Sequence, residues 1–283
     1  MSGPLVEIEN LRIAFSGEDG SMTNAVRGVS LTLGREKLGI VGESGSGKSL
    51  TGRALLGVLP SYARVSVDKM VFDGIDLTKA KPKLRRSLRG GRMAMILQDP
   101  KFSLNPVMRV GPQIVEAIRI GDRKLPKREA IRQALAILEA VHIRDPERVF
   151  SLYPHELSGG MGQRVMIAMM VVREPDLLIA DEPTSALDVT VQTQVLSILD
   201  ELVSRRGMGL IFISHDLRLV ARFCDRVIVM YAGQIIETLR ADRLSEATHP
   251  YTKGLLACLP TIDGPLDPLP VLQRQAAWLE AAP

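Results

Sequence analysis

The sequence predicts an α/β fold in which helices pack on a parallel β-sheet. Three observations support this prediction: apolar strand-like runs alternate with helical stretches along the 283 residues, a glycine-rich loop joins one strand directly to a helix, and two later strands end in polar turns. A hydrophobic content of 46% is enough for a sizeable core, in one large domain or two. Because ligands bind at the carboxyl ends of strands in open parallel sheets, we expect the polar turns to meet at one sheet edge.

The first elements are predicted to be antiparallel strands. Residues 4–40 alternate strand-like runs with turn residues, and a second patch of this kind covers residues 65–77. We expect the two stretches to form an antiparallel β-subdomain beside the parallel core.

The glycine-rich loop follows a strand predicted at residues 38–41 and precedes a helix predicted at residues 48–59, which Pro60 ends. The loop matches G-x-x-x-x-G-K-[ST] and consists of Gly42, Glu43, Ser44, Gly45, Ser46, Gly47, Lys48 and Ser49. In this setting backbone N–H groups converge on phosphate oxygens, and the helix N-terminus adds partial positive charge. Lys48 is expected to reach the β- and γ-phosphates, and Ser49 to hold Mg²⁺. The loop therefore predicts a nucleoside triphosphate site.

A helical stretch and a second glycine-rich segment come next. Residues 106–163 have a helical pattern, in which residues 128–141 place Ile131, Leu135 and Leu138 at helix spacing. The segment at residues 157–164 reads LSGGMGQR and leads into a helix that we expect to be buried at residues 165–172. A serine and glycines at a helix N-terminus predict a second anion site.

The strand predicted at residues 177–180 ends on two acidic residues. Asp181 is suited to help hold Mg²⁺, and Glu182 is placed to orient or deprotonate an attacking water. A further strand at residues 210–213 leads to His215, which is expected to contact the γ-phosphate. Beyond it the pattern predicts a helix at residues 217–224, a hairpin at residues 227–236 that turns at Ala232 and Gly233, and a short helical tail.

The charge of the chain gives little support to a nucleic-acid partner. The 36 basic residues stand against 32 acidic ones, and the pI near 9.2 is accompanied by no aromatic-rich basic platform. The densest basic run, residues 79–92, is expected to be a solvated face, with contact to lipid headgroups or to a membrane partner as the alternative. No segment approaches the roughly 18 apolar residues that cross a bilayer, and residues 1–10 have no signal-like apolar core. We therefore expect membrane association through partners.

The two cysteines, Cys224 and Cys258, are too few for an iron–sulfur cluster, which takes about four thiolates. The sequence therefore predicts no such cluster. We expect both residues to be buried, small and apolar in a reducing cytosol.

Six motifs in order resemble the nucleotide-binding subunits of ABC transporters over nearly the whole chain. They are residues 42–49, Gln98, residues 157–160, Asp181 with Glu182, residues 185–188 and His215. The resemblance implies an ATPase with a P-loop NTPase (RecA-like) core, an antiparallel β-subdomain and an inserted helical subdomain at about residues 106–163. It also implies that the cassette covers residues 4–240 and that residues 241–283 form a short C-terminal tail.

The resemblance further implies that two such subunits face head to tail. Each ATP then lies between the phosphate loop of one subunit and the LSGG signature of the other, so that Ser158, Gly159 and Gly160 serve a partner-bound ATP. The implied roles of the remaining residues are as follows: Gln98 contacts Mg²⁺ and the attacking water and links the site to membrane subunits, Asp188 contacts the opposite subunit, and Phe15 stacks on adenine unless it is a core residue.

Met161 departs from the family pattern, because many relatives have glutamine there. Since the phosphate donors precede it and are intact, we expect ATP binding to survive. A packing role and a functional role for the Met161 side chain both stay open.

Two stretches narrow the resemblance. Residues 98–106 and residues 248–256, which contain His249-Pro250-Tyr251, resemble segments of the oligopeptide, dipeptide and nickel importers, and the Met161 variant is similar to that group's signature. This implies a peptide-type importer with a second, homologous ATPase subunit, two transmembrane permease subunits and an extracytoplasmic solute-binding protein. The subunit would sit at the cytoplasmic face of the inner membrane through these partners.

Other functions stay open or are disfavoured at this point. An importer of nickel or modified sugars, a soluble non-transport ABC ATPase and an exporter cassette remain alternatives. The stretch between Lys48 and Ser158 is too short for the coiled coil or zinc module of DNA-repair relatives. The chain holds one cassette, whereas translation factors of this type hold two.

Overall fold

The computed structural model describes residues 3–17, 20–98, 103–185, 187–258 and 278. Its internal contacts divide the chain into two units, one formed by Met1–Lys81 with Ile211–Pro283 and the other by Pro82–Leu210.

An antiparallel sheet forms the first part of the first unit. Its strands are β1 (Val6–Ser16), β2 (Met22–Leu33), β4 (Ala63–Ser66), β5 (Lys69–Phe72) and β6 (Ile75–Asp76). The central strand β1 pairs with β2, β4 and β5, and β5 pairs with β6. Ile8 and Leu11 are three positions apart, so a regular strand would place their side chains on opposite faces. The pairing of β1 with β2 shifts between these two residues, and both side chains are buried. The antiparallel strands predicted within residues 4–40 and 65–77 are confirmed except at residues 37–40, which belong to the parallel strand β3 (Lys37–Val41).

Four more strands of this unit lie side by side, and two of them lead into candidate site segments. The four strands are β3 (Lys37–Val41), β9 (Gly209–Ile213, of which Ile211 to Ile213 belong here), β10 (Arg226–Tyr231) and β11 (Gln234–Arg240), and they lie in the order β11-β10-β3-β9. Strand β3 precedes the phosphate loop, and β9 precedes the turn that holds His215. Strands β3 and β10 are parallel, and almost all of their residues are buried, as expected for apolar strands covered on both faces. The predicted hairpin is confirmed: Ala232 and Gly233 turn β10 into antiparallel β11 with φ of 44° and 85°.

Within its described residues, the first unit also contains three α-helices: α1 (Lys48–Leu56), α8 (Leu217–Phe223) and α9 (Pro250–Ala257). The predicted end of α1 at residue 59 is wrong. Gly57 adopts the left-handed conformation with φ of 66°, and its N–H donates to the Ala54 carbonyl over 2.9 Å, which ends the helix after Leu56.

The second unit holds two parallel strands and six helices within its described residues. The strands are β7 (Met93–Ile96) and β8 (Leu177–Asp181), and the helices are α2 (Pro82–Leu88), α3 (Val110–Gly121), α4 (Lys127–Ala140), α5 (Pro146–Ser151), α6 (Gly159–Val171) and α7 (Val189–Arg206). Helices α3, α4, α5 and α6 pack on one another, so the predicted helical stretch between residues 106 and 163 is confirmed.

Most of the basic run at residues 79–92 is exposed, as expected of a solvated face. Arg92 is tied down, because its Nε lies 2.7 Å from an Asp176 carboxylate oxygen. Among the residues that the structure describes, no helix combines the length and the apolar character needed to span a membrane.

Candidate functional site

The phosphate loop has a backbone that favours glycine. Gly42 and Gly47 have φ of 152° and 96°. A Cβ atom on Gly42 would overlap the Met230 carbonyl oxygen, and one on Gly47 would lie 2.9 Å from the Ala25 carbonyl oxygen. Both conformation and space therefore exclude a side chain at these two positions.

Lys48 points back into the loop that precedes it. Its side chain is only 5% exposed, and Nζ donates hydrogen bonds to the carbonyl oxygens of Gly42 at 2.8 Å and Glu43 at 2.9 Å. The nearby Ser46 is 4% exposed, and its Oγ has no hydrogen-bond partner among the described residues. A buried ammonium at a helix N-terminus, beside a buried hydroxyl that has no partner among the described residues, fits an oxyanion such as phosphate.

Two aromatic rings lie close to each other where β1 pairs with the start of β4. Phe15, near the end of β1, is half-buried, and its ring centroid lies 5.8 Å from that of Tyr62, which is 66% exposed. Phe15 is thus not a core residue. Sequence reasoning missed Tyr62, although it precedes β4, whose Ala63 pairs with Phe15.

The turn after β9 holds His215 at an exposed position. The Ser214 N–H donates to the Ile40 carbonyl over 3.1 Å, and the Ser214 hydroxyl accepts from the Asp216 N–H over 3.0 Å. The Asp216 carboxylate then caps α8. His215 therefore follows the strand end on an anchored turn.

In the second unit, Gln98 and Glu182 meet. The parallel register places Ile96 opposite Ala180, so the residues two positions later leave the sheet side by side. Gln98 Nε2 donates to Glu182 Oε2 over 3.4 Å. Glu182 has a φ of 49°, a strained conformation for a residue other than glycine, and such strain is concentrated at functional sites. Asp181, the last residue of β8, is only 4% exposed.

The signature segment lies at the N-terminus of α6. Ser158 caps the helix, because its Oγ accepts a 3.4 Å hydrogen bond from the Met161 N–H. Ser158 and Gly159 are exposed. Gly160 allows close packing, since a Cβ there would lie 2.6 Å from Val191 Cγ1 on α7. The segment presents helix N-terminal groups to solvent.

Met161 is half-buried and lines a cavity of about 790 Å³ together with Ser158 and Arg164. Gln163, which sequence reasoning passed over, is 2% exposed, and its Nε2 donates to the Pro183 carbonyl. The signature helix is therefore bonded to the residue that follows Glu182. No spacing rule indicated this contact, because it joins two segments that are 20 positions apart in the sequence.

Asp188 caps α7 by accepting a 3.0 Å hydrogen bond from the Val191 N–H, and it is exposed. Ala186 and residues 99–102, which belong to the predicted motifs, lie outside the described residues, as does most of the tail after Cys258.

The two cysteines differ in exposure. Cys224 is buried, and this burial raises the pKa of its thiol to about 12. Cys258 is only half-buried, so the expectation that both are buried is wrong for this residue, which ends the last described helix near the surface. The described part of the chain contains no group of three or more His, Cys, Asp or Glu residues that could hold a metal ion.

Comparison with known proteins yields three kinds of similarity. Residues 26–185 match the family model described as ABC transporter. The dipeptide transport ATP-binding protein of Escherichia coli K12 is 46% identical over 260 residues, covering 90% of this chain and 78% of that protein. The corresponding Bacillus subtilis 168 protein is 44% identical over 262 residues, with coverage of 92% and 78%. A solved dimeric ATP-binding cassette, MJ0796 in a post-hydrolysis state with ADP and Pi, aligns with a TM-score of 0.73 at 25% identity, covering 83% of this chain and 98% of that one.

Proposed function

Because the chain belongs to the ABC transporter family as an ATP-binding and ATP-hydrolysing subunit, we propose that it powers the import of peptides through partner membrane subunits. The observation that carries the proposal is its similarity, along almost its whole length, to dipeptide transport ATP-binding proteins. The intact phosphate loop, with its buried lysine, supports the ATPase activity.

The phosphate loop binds the triphosphate of ATP. Lys48 balances the charge of the β- and γ-phosphates, backbone N–H groups of the loop after Glu43 donate to phosphate oxygens, and the half-buried Phe15 stacks on adenine. Ser49, Gln98 and Asp181 would hold Mg²⁺, for which their hydroxyl, amide and carboxylate oxygens are suitable ligands. When bound, the ion neutralises charge on the phosphates.

Glu182 acts as the catalytic carboxylate. It accepts a proton from the attacking water as the water oxygen bonds to the γ-phosphorus, and the bond from this phosphorus to ADP breaks. Gln98, whose amide reaches Glu182 over 3.4 Å, orients the water, and His215 contacts the γ-phosphate. The strained backbone of Glu182 supports this assignment.

The signature serves an ATP held by a second subunit. Ser158, Gly159 and Gly160 donate to its γ-phosphate, Met161 lies beside them, and Asp188 contacts the opposite subunit. The exposure of Ser158 and Gly159 supports this proposal, because a ligand from another chain can reach them.

The proposed assembly contains a second, homologous ATPase subunit, two transmembrane permease subunits and an extracytoplasmic solute-binding protein. The chain then lies at the cytoplasmic face of the plasma membrane, held by these partners. We also propose that the cassette covers residues 4–240, with a helical subdomain at about residues 106–163 and a C-terminal tail at residues 241–283.

The test is purification of the intact complex from membranes, identification of its subunits, and a ligand screen on the associated binding protein. Permease subunits and stimulation of ATP hydrolysis by a peptide-loaded binding protein are expected. Recovery without any membrane protein would favour a soluble ATPase, and selective binding of nickel or a modified sugar would contradict peptide import.

A further inference from the structure

Helix α9 contacts the phosphate loop through one hydroxyl group. The Glu43 N–H donates a 3.1 Å hydrogen bond to the hydroxyl of Tyr251, a residue that is fully buried. The Glu43 carbonyl accepts from Lys48 Nζ over 2.9 Å. Both backbone polar groups of Glu43 are therefore bonded, one to the C-terminal element and one to the lysine that we expect to bind phosphate.

Neighbouring rings fix the position of the Tyr251 side chain. Its ring centroid lies 4.6 Å from that of Tyr231, at the end of β10, and 5.8 Å from that of Trp278. Tyr231 and Trp278 are also buried. Because a ring packed in this way has little rotational freedom, the direction of its hydroxyl group is set by the cluster.

The start of α9 is itself bonded to β11. A carboxylate oxygen of Glu237 accepts from the Thr248 N–H at 2.6 Å, the Thr248 hydroxyl at 2.9 Å and the His249 N–H at 3.3 Å. His249 Nδ1 then accepts from the Tyr251 N–H over 3.1 Å and caps the helix. A chain of hydrogen bonds thus leads from β11 to the phosphate loop.

We infer that Tyr251 is a positioning residue for phosphate binding. Its hydroxyl holds Glu43, and through the Glu43 carbonyl it holds the ammonium group of Lys48 in place. The turn between β10 and β11 acts on the other side of the loop, where the Gly233 N–H donates to the Ser46 carbonyl over 3.1 Å. The inference rests on the proposed function only in requiring that this loop binds the phosphates of ATP.

The test compares two substitutions that each remove one hydroxyl from the same aromatic cluster. Tyr251→Phe removes the acceptor of the Glu43 N–H, and Tyr231→Phe is the matched control. Affinities of the full chain for ATP, ADP and inorganic tripolyphosphate are measured by calorimetry, and kcat and KM for ATP are measured in the assembled complex.

Tyr251→Phe is expected to weaken binding of all three ligands by about two- to tenfold, the range for one net hydrogen bond. All three are affected because the loop contacts the phosphates and not the base. KM for ATP rises by a similar factor, while kcat changes by less than about twofold. Tyr231→Phe leaves the affinities within about twofold of wild type.

Equal ligand affinities in wild type and Tyr251→Phe would overturn the inference, as would a lower melting temperature with unchanged affinity, which indicates a structural role alone. A loss for ATP without a loss for tripolyphosphate would also contradict it. If the wild-type chain bound neither ATP nor tripolyphosphate, the proposed function would fail first, and this inference with it.

Discussion

The phosphate loop and the signature segment are built in opposite ways, although both present backbone N–H groups at the start of a helix. The loop closes around a buried lysine, and its glycines at positions 42 and 47 have positive φ values. At the signature, Ser158 and Gly159 are exposed, and Gly159 has open space around it without a positive φ. The closed loop is suited to form a phosphate site within this chain, whereas the exposed helix N-terminus of the signature is accessible to a ligand that another molecule brings.

The largest expected effect separates binding from hydrolysis. Glu182→Gln keeps the size of the side chain but removes the proton acceptor, so ATP binding to the phosphate loop stays within about twofold and turnover falls at least about a hundredfold. Filter binding and phosphate release from the assembled complex measure the two quantities. The control is Glu139→Gln on the exposed surface of α4, which should retain full turnover. Unchanged turnover in Glu182→Gln would remove this residue as the catalytic carboxylate.

The next effect concerns the loop alone. Lys48→Met removes the buried ammonium group that we propose pairs with phosphate, so the affinity of the full chain for ATP should fall about ten- to a hundredfold. Titration with a fluorescent ATP analogue measures it. Lys83→Met, the same change at an exposed position in α2, should leave affinity unchanged. Equal affinity in both variants would show that the loop does not bind the triphosphate.

The smallest effect compares glycines from the two regions. Gly47→Ala forces a side chain into a left-handed conformation 2.9 Å from a carbonyl oxygen, and should lower the free energy of unfolding by about 1–3 kcal/mol. Gly159→Ala meets open space at the start of α6, and should change it by no more than about 0.5 kcal/mol. Urea unfolding of the full chain measures both. Similar losses at the two sites would contradict the structural contrast.

Local sequence patterns were sufficient to predict part of the candidate site. The glycines of the phosphate loop and the apolar strand before them indicated the conformation of the loop and the chemistry expected of it. In the same way, the apolar run at residues 177–180 indicated a strand that ends at Asp181 and Glu182. The end of α1 was misplaced because a glycine in the left-handed conformation stops the helix before Pro60 is reached.

Contacts between distant segments could not be predicted in this way. The Tyr251 hydroxyl meets Glu43 only because β10 lies beside β3, and Gln163 reaches Pro183 only because α6 packs near the end of β8. The positive φ of Glu182 likewise has no signal in a single sequence, since glutamate rarely adopts it.

The most direct test of the contrast between loop and signature is ATP binding and turnover in Ser158→Arg. The isolated full chain should bind ATP at its own loop with an affinity within about twofold of wild type. The assembled complex should lose turnover by about a hundredfold, because the arginine side chain blocks the groups that we propose donate to the partner-bound γ-phosphate. If Ser158→Arg weakened ATP binding by the isolated chain as strongly as Lys48→Met does, the signature would belong to this chain's own site, and the account would be wrong.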